Sequence, residues 1–157
     1  MTEAESTALI AAAAGEAHMI GVPMNIAVVD EAAHLKAFVR MDAALLGSLD
    51  IAIGKARTAA LFGMNTEAVG AFCGPGGTSP GLENSNGGLV IFAGGVALRD
   101  EDGRLIGAIG VSGGSVDQDA GVANTAAATL SQSNEGDVIW AVGAEDAHLP
   151  PLSQQQS

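Results

Sequence analysis

The sequence predicts an α+β domain in which helices cover an antiparallel β-sheet. Apolar residues recur three and four positions apart in several segments, as they do along the buried side of a helix. Other apolar runs have the length of strands and are joined by turns of a few residues, which connect antiparallel rather than parallel strands. The predicted order is helix, two strands, two helices, three strands and a last helix. A chain of 157 residues is long enough for one such domain.

The first helix is predicted over residues 3–20. Thr2 and Glu5 have the spacing of a capping box, in which each side chain accepts a hydrogen bond from the other residue's backbone N–H. Gly21 then marks the end of the helix. His18 lies off the apolar side, so we expect an exposed or partly packed histidine, with haem or metal ligation as the alternative.

A β-hairpin is expected next. Residues 24–29 form an apolar run, residues 30–33 are polar and small, and residues 34–40 form a second run. Runs of this length around a short turn are typical of paired antiparallel strands. The hairpin leads directly into the most polar part of the chain.

Residues 39–59 combine the end of this hairpin with a second helix. Four of the six cationic residues of the chain lie between Lys36 and Arg57, although the formal net charge is −12. General solubility does not explain such a concentration of positive charge. Either Asp42 or Ser48 is expected to cap the helix, since both side chains can accept a hydrogen bond from a free N–H of the first turn.

Two interpretations of these polar residues remain open. In the first, Arg40 and Asp42 form a surface ion pair, and Lys55 and Arg57 are solvated helix residues. In the second, Arg40, Asp42 and Lys55 line the rim of a small-molecule pocket, because a few convergent polar groups at strand ends and helix starts are typical of ligand sites.

An enzyme built on the second interpretation would be an isomerase, hydratase or lyase that acts on an oxygenated small acid or carbonyl compound. Arg40 would hold a carboxylate, and Asp42 would act as a general base. Lys55 would polarise a carbonyl group or act as an acid, a base or an amine nucleophile. Asp42 and Lys55 are therefore the candidate catalytic residues.

The second half of the chain continues the layered pattern. A short helix is expected over residues 65–72, and strands are expected over residues 88–93, 96–99 and 104–111. The last helix begins with a second capping box at residues 115–118 and continues to about residue 130. Asp117 and Asp119 are expected at its capped, solvated start. The alternative is a cation site formed by these two carboxylates, for which no third ligand is visible.

The pattern weakens after residue 130. We therefore divide the chain into a domain of residues 1–130 and a C-terminal extension of residues 131–157. Within the extension, residues 138–142 are an apolar run that predicts either a terminal strand or a patch covered by another subunit. The proline- and glutamine-containing end from residue 150 is expected to be disordered.

Composition excludes several classes of function. The acidic balance makes nucleic acid and anionic membrane surfaces poor partners, because both require clustered Lys and Arg. No apolar run is long enough for a membrane span, and the acidic N-terminus does not resemble a signal peptide, so a cytoplasmic location is expected. Cys73 is the only cysteine, which excludes an intramolecular disulfide or a cysteine-cluster metal site.

Several ordered motifs resemble the GlcG/HbpS family, which includes the C-terminal domain of PduO-type adenosyltransferases. The resemblance covers about residues 5–130, and the motifs lie at residues 21–30, 38–42, 55–59, 92–95 and 106–114, the last followed by Gln118 and Asp119. It implies an antiparallel sheet of about five strands sandwiched by helices and assembly into a homo-oligomer such as an octamer. In some members it implies binding or degradation of haem, and in others an auxiliary role in glycolate or propanediol catabolism. Ala33 and Ala97 depart from it, standing where the family usually has Gly and Pro.

The resemblance also directs the choice of ligand-binding residues. They are expected within the matched motifs, at Arg40, Met41, Gly94, Gly95 and Ser112. No protein metal ligand is expected, and haem or another tetrapyrrole is the candidate cofactor. The sequence thus favours an oligomeric protein that binds a small ligand, with the enzyme described above as the first alternative and a purely scaffolding oligomer as the second.

Overall fold

The chain folds as an α+β domain with helices on both sides of one sheet. The computed structural model describes the backbone of residues 1–144 and the side chains of residues 1–130. Its elements, in chain order, are α1 (Glu3–Met19), β1 (Asn25–Asp30), β2 (Leu35–Arg40), α2 (Ser48–Phe62), α3 (Thr66–Cys73), a 3-10 turn (Leu82–Asn84), β3 (Gly95–Arg99), β4 (Leu105–Ser112) and α4 (Val116–Ala144).

The sheet has four strands in the order β2-β1-β4-β3, and every neighbouring pair is antiparallel. The expected strand at residues 88–93 is not one of them. Its backbone bonds instead to helix side chains: the Val90 N–H donates to Thr58 Oγ1 at 3.1 Å, and the Phe92 carbonyl accepts from Thr66 Oγ1 at 2.8 Å. The strand predicted at residues 88–93 is therefore wrong, because this apolar segment is irregular and bonds to side chains of α2 and α3.

The two faces of the sheet are covered by different helices. Alternate residues of a strand point to opposite faces, so Ile26 and Val28 pack with α1 and α4, while Ala27 and Val29 pack with α2. The face toward α2 is built from small residues, and a Cβ added at Gly110 would collide with the backbone of α2. Small side chains thus let α2 lie directly on the sheet, and the predicted sandwich of helices is confirmed.

The predicted capping boxes are both present. Thr2 Oγ1 accepts from the Glu5 N–H at 3.1 Å, and Ser115 Oγ accepts from the Gln118 N–H at 3.3 Å. The expected cap of α2 is wrong in both of its forms. Gly47 occupies the cap position without a side-chain bond, Ser48 is the first helical residue, and Asp42 lies in the preceding loop.

Helix α4 is longer than expected. It passes through residues 138–142, so the terminal strand predicted there is wrong. The predicted disordered end lies outside the described residues, and the boundary at residue 130 stays a prediction. Within residues 1–144, no helix has the length and apolar character needed to cross a membrane.

Candidate functional site

A pocket of about 520 Å³ lies where the C-terminal end of α1 meets the end of β2. The segment between α1 and β1 closes its third side. Most of its wall is made of small apolar residues, and its polar groups come from one helix residue and from the end of the hairpin. The lining consists of Ala14, Ala17, His18, Gly21, Val22, Pro23, Val39, Arg40, Met41 and Asp42.

His18 is held in a defined orientation in this pocket. Its Nδ1 lies 2.7 Å from the carbonyl oxygen of Ala14, one turn earlier in α1. A carbonyl only accepts, so this contact assigns the proton of the neutral ring to Nδ1. Nε2 then carries the lone pair, and this is the arrangement that metal-binding histidines adopt when a backbone carbonyl fixes the other ring nitrogen.

Arg40 and Asp42 are both exposed at the rim of the same pocket. Among the described residues neither forms an ion pair, so the surface pair proposed between them is absent. Met41 lies between them, and its sulfur accepts from the Met24 N–H at 3.3 Å while its own N–H donates to the Met24 carbonyl. This double contact ties the rim to the residue that precedes β1.

Lys55 does not reach this pocket. It is fully buried, and its Nζ donates to Asp119 Oδ2 at 2.8 Å and to the Val111 carbonyl at 2.9 Å. The ring of Phe92 lies 4.7 Å from the same nitrogen, in the position of a cation–π contact. An amine that is covered on all sides cannot take up a substrate, so an enzyme that joins Arg40, Asp42 and Lys55 at one site is not favoured.

Asp119 completes the environment of this buried amine. Its other oxygen, Oδ1, accepts from the backbone N–H groups of Gly113 and Gly114 at 3.1 Å and 2.9 Å. Burial lowers the pKa of Lys55, and the hydrogen bond and negative charge of Asp119 oppose that shift. The pair therefore joins α2, the end of β4 and the first turn of α4 through contacts that depend on charge.

The remaining predicted ligand residues do not line the pocket, and two of them, Gly94 and Gly95, lie beside Lys55. Gly94 has φ +115°, and a Cβ added there would stand 2.7 Å from Lys55 Nζ. The N–H of Gly95 donates to Thr66 Oγ1 at 3.0 Å, and Ser112 is buried at the end of β4. Of the predicted ligand residues, the structure brings Arg40 and Met41 together with Asp42 at the pocket, and the other three do not line it. Ser112 lies in the same row of the sheet as Arg40, because both residues pair with Asn25 of β1.

Two residues that matter for the site were undervalued from the sequence. Asp119 was expected to be solvated, but it is 2% exposed. The signal that could have found it is the apolar spacing of α4, which places Asp119 on the same side as the buried Val122 and Ala123. His18 is exposed, as expected, and it lines the pocket together with Arg40. Among residues 1–130, no group of three acidic, histidine or cysteine side chains is placed to hold a metal ion.

Comparison with known proteins identifies the group to which this architecture belongs. A family described as haem degrading protein HbpS-like matches residues 1–128. A 15.0 kDa protein from the dhaT-dhaS intergenic region of Citrobacter freundii is 36% identical over 133 residues, covering 84% of this chain and 93% of that protein. The corrinoid adenosyltransferase PduO of Salmonella typhimurium is 40% identical over 124 residues, which are 78% of this chain and 37% of PduO.

The fold agrees with the sequence comparison. The crystal structure of the PduOC:heme complex superposes with a TM-score of 0.77 at 37% identity, covering 82% of this chain and 93% of that one. The family match spans residues 1–128, which is most of the chain. The chain therefore belongs to the HbpS-like family, as the GlcG/HbpS motifs in its sequence predicted.

Proposed function

We propose that this protein binds haem or a closely related iron tetrapyrrole in the pocket between α1 and β2, where His18 would be the residue that binds the iron. The observation that carries the proposal is the 2.7 Å contact between His18 Nδ1 and the Ala14 carbonyl. It fixes the ring and leaves Nε2 available in a pocket lined mainly by apolar groups. The haem complex of the related PduOC protein agrees in ligand class.

The other residues of the pocket fit the same ligand. Its walls include Ala14, Ala17 and Val22, which are small and apolar and allow a flat macrocycle to approach the backbone. Arg40 has no acidic partner among the described residues and would pair with a haem carboxylate through its planar fork. Met41 is expected to position the rim, since its sulfur already accepts from a backbone N–H. A bound haem supplies redox-active iron, whose properties are set by its axial ligand and surroundings.

The decisive experiment is a haem titration followed by absorption spectroscopy. Wild-type protein should give a Soret band that saturates with added haem. Haem added to His18→Ala should lack the absorption bands of histidine-ligated iron and should bind at least ~10-fold more weakly. His34→Ala is the matched control, because His34 is an exposed histidine of the β1–β2 hairpin outside the pocket. An unchanged spectrum and affinity in His18→Ala would show that the iron is held elsewhere.

Arg40 provides an independent test of the orientation of the ligand. Arg40→Gln should weaken haem binding by ~10-fold while leaving the spectrum unchanged, because it removes one charge-assisted contact and not the iron ligand. Lys36→Gln removes another exposed cation of β2 that does not line the pocket, and it should leave the affinity unchanged. Equal effects of the two substitutions would indicate general electrostatics in place of a specific contact.

The proposal includes assembly into a homo-oligomer. Met19 is 82% exposed, and the adjacent Leu45 and Leu46 are 63% and 71% exposed. Burial of these apolar side chains against another subunit would be favourable. These residues follow the pocket residues His18 and Asp42 closely in the chain. Sedimentation velocity should show an oligomer that Leu46→Ser weakens, and a monomeric wild type would contradict this part of the proposal.

A further inference from the structure

A second pocket, of about 280 Å³, lies between the C-terminal half of α2 and the loop before β3. It shares no lining residue with the His18 pocket. We propose that this pocket binds a small oxyanion, held by the Arg57 guanidinium and by the hydroxyl of Thr58. The ligand is either the carboxylate of a small organic acid or a phosphate group, and the inference does not depend on haem binding.

Arg57 is an unpaired cation on the surface of α2. Within the described part of the chain its guanidinium forms no ion pair and no hydrogen bond. The helix positions from which an acidic side chain could reach it, three and four residues away, are apolar and consist of Ile53, Gly54, Ala60 and Leu61. An arginine without a partner in a chain of net charge −12 is available for an external anion.

Thr58 contributes a buried donor to the same pocket. The residue is 1% exposed, and its Oγ1 accepts from the Val90 N–H at 3.1 Å. Its own hydroxyl proton has no acceptor among the described residues. A buried donor without an acceptor is costly, so an anion in the pocket would supply the missing partner.

The loop opposite α2 presents further donors. Asn86, Gly87 and Gly88 have φ values of +53°, +78° and +101° in succession. Consecutive residues in the left-handed region do not pair as a strand, so their N–H groups can face a bound anion. Within residues 1–130, the Gly87 N–H has no backbone acceptor. Gly88 donates to the Ser85 carbonyl at 2.9 Å, which fixes the loop beside the pocket.

The chemistry of the lining selects for negative charge. Besides Arg57, Thr58 and the loop, the wall is completed by Gly54, Leu61 and Leu89, and no acidic side chain takes part. A guanidinium recognises carboxylate and phosphate through two parallel N–H donors, whereas a cation would find no charged ligand here. The volume is at the small end of ligand pockets, which suits a compact anion.

The test is an NMR titration of the haem-free full-length protein at low ionic strength with acetate and, separately, with inorganic phosphate. The backbone amides of residues 86–88 and the side-chain N–H of Arg57 are observed. We expect saturable shifts confined to these groups and at least ~10-fold weaker binding in Arg57→Gln. Lys36→Gln, which removes an exposed cation outside the pocket, should bind like wild type.

The relative affinities identify the source of the anion. Tighter binding of acetate favours the carboxylate of an organic acid, and tighter binding of phosphate favours a phosphate group. Shifts that do not saturate, or that persist unchanged in Arg57→Gln, would overturn the proposal. Arg57 is exposed, so the variant should keep the wild-type amide spectrum in the absence of anions. Unchanged haem binding by Arg57→Gln would separate this site from the His18 pocket.

Discussion

Replacement of Lys55 by methionine is the sharpest test of how this fold is held together. Methionine keeps an unbranched apolar stem but removes the ammonium group that bonds to Asp119 and to the Val111 carbonyl. The carboxylate of Asp119 then stays 2% exposed without its charged partner. Two hydrogen bonds to it remain, from the N–H groups of Gly113 and Gly114.

The expected loss of stability follows from these contacts. Removing one member of a buried ion pair costs about 3–5 kcal/mol, because the other charge is left uncompensated. The two remaining N–H donors to Asp119 place Lys55→Met near the lower end of that range, at about 3 kcal/mol. Domains have a total stability of about 5–15 kcal/mol, so this single change should remove a large fraction of it.

Urea unfolding at neutral pH and one fixed protein concentration measures the effect. With a slope of about 2 kcal/mol/M, the midpoint should fall by ~1.5 M. Arg57→Met is the matched control, because it removes an exposed cation from the same helix and should change stability by less than ~0.5 kcal/mol. Equal midpoints for the two variants would refute the structural role assigned to Lys55.

A double variant separates the ion pair from simple packing. Lys55→Met combined with Asp119→Asn leaves no unpaired charge in the interior and keeps an oxygen that can accept from Gly113 and Gly114. The loss should therefore be smaller than the sum of the two single losses by about 1–3 kcal/mol. Additive losses would mean that the two side chains do not interact in solution.

Three further predictions concern backbone strain, packing and pH. Ala33 has φ +62°, a left-handed conformation that is strained for alanine, so Ala33→Gly should raise the free energy of unfolding in urea by about 0.5–1 kcal/mol. Ala32→Gly is the control, and a gain at position 33 no larger than at position 32 would show that Ala33 is not strained. Gly110→Ala should lower the free energy of unfolding by at least about 1–3 kcal/mol, because the added Cβ would collide with the backbone of α2. Gly15→Ala is the control, since its added Cβ would stand in open space on α1 and should not destabilise the protein. The hydrogen bond from the His34 N–H lowers the pKa of the Asp30 carboxyl, and the bond from the Ala32 N–H adds to this effect. Burial acts in the opposite direction but is outweighed. The stability that ionised Asp30 contributes is complete above the ordinary pKa of an aspartate and is lost as the pH falls through the lowered pKa. The difference in unfolding free energy between wild type and Asp30→Asn should therefore shrink in acid. A difference that does not change with pH would contradict this role of Asp30.

The local elements were predictable because their signals are local. The capping boxes at Thr2 and Ser115 involve residues three positions apart, and both formed as predicted. The hairpin and the short helix α3 were predicted for the same reason, since periodicity and turn residues act within one element. The family motifs added the layered architecture that the individual elements leave open.

Pairing between distant elements was decided only by the tertiary structure. Lys55 and Asp119 are 64 residues apart in the chain. No local sequence pattern predicts that the first turn of α4 packs against the middle of α2. Residues 88–93 have the composition of a strand, but the docking of α2 and α3 gives their backbone Thr58 and Thr66 as partners in place of a neighbouring strand. The sequence by itself determined most of the elements, both capping boxes and the family, but it also predicted a strand at residues 88–93 that is not present. Which faces meet, and therefore that His18 shares a pocket with Arg40 while Lys55 is sealed away, depended on packing across the whole sheet.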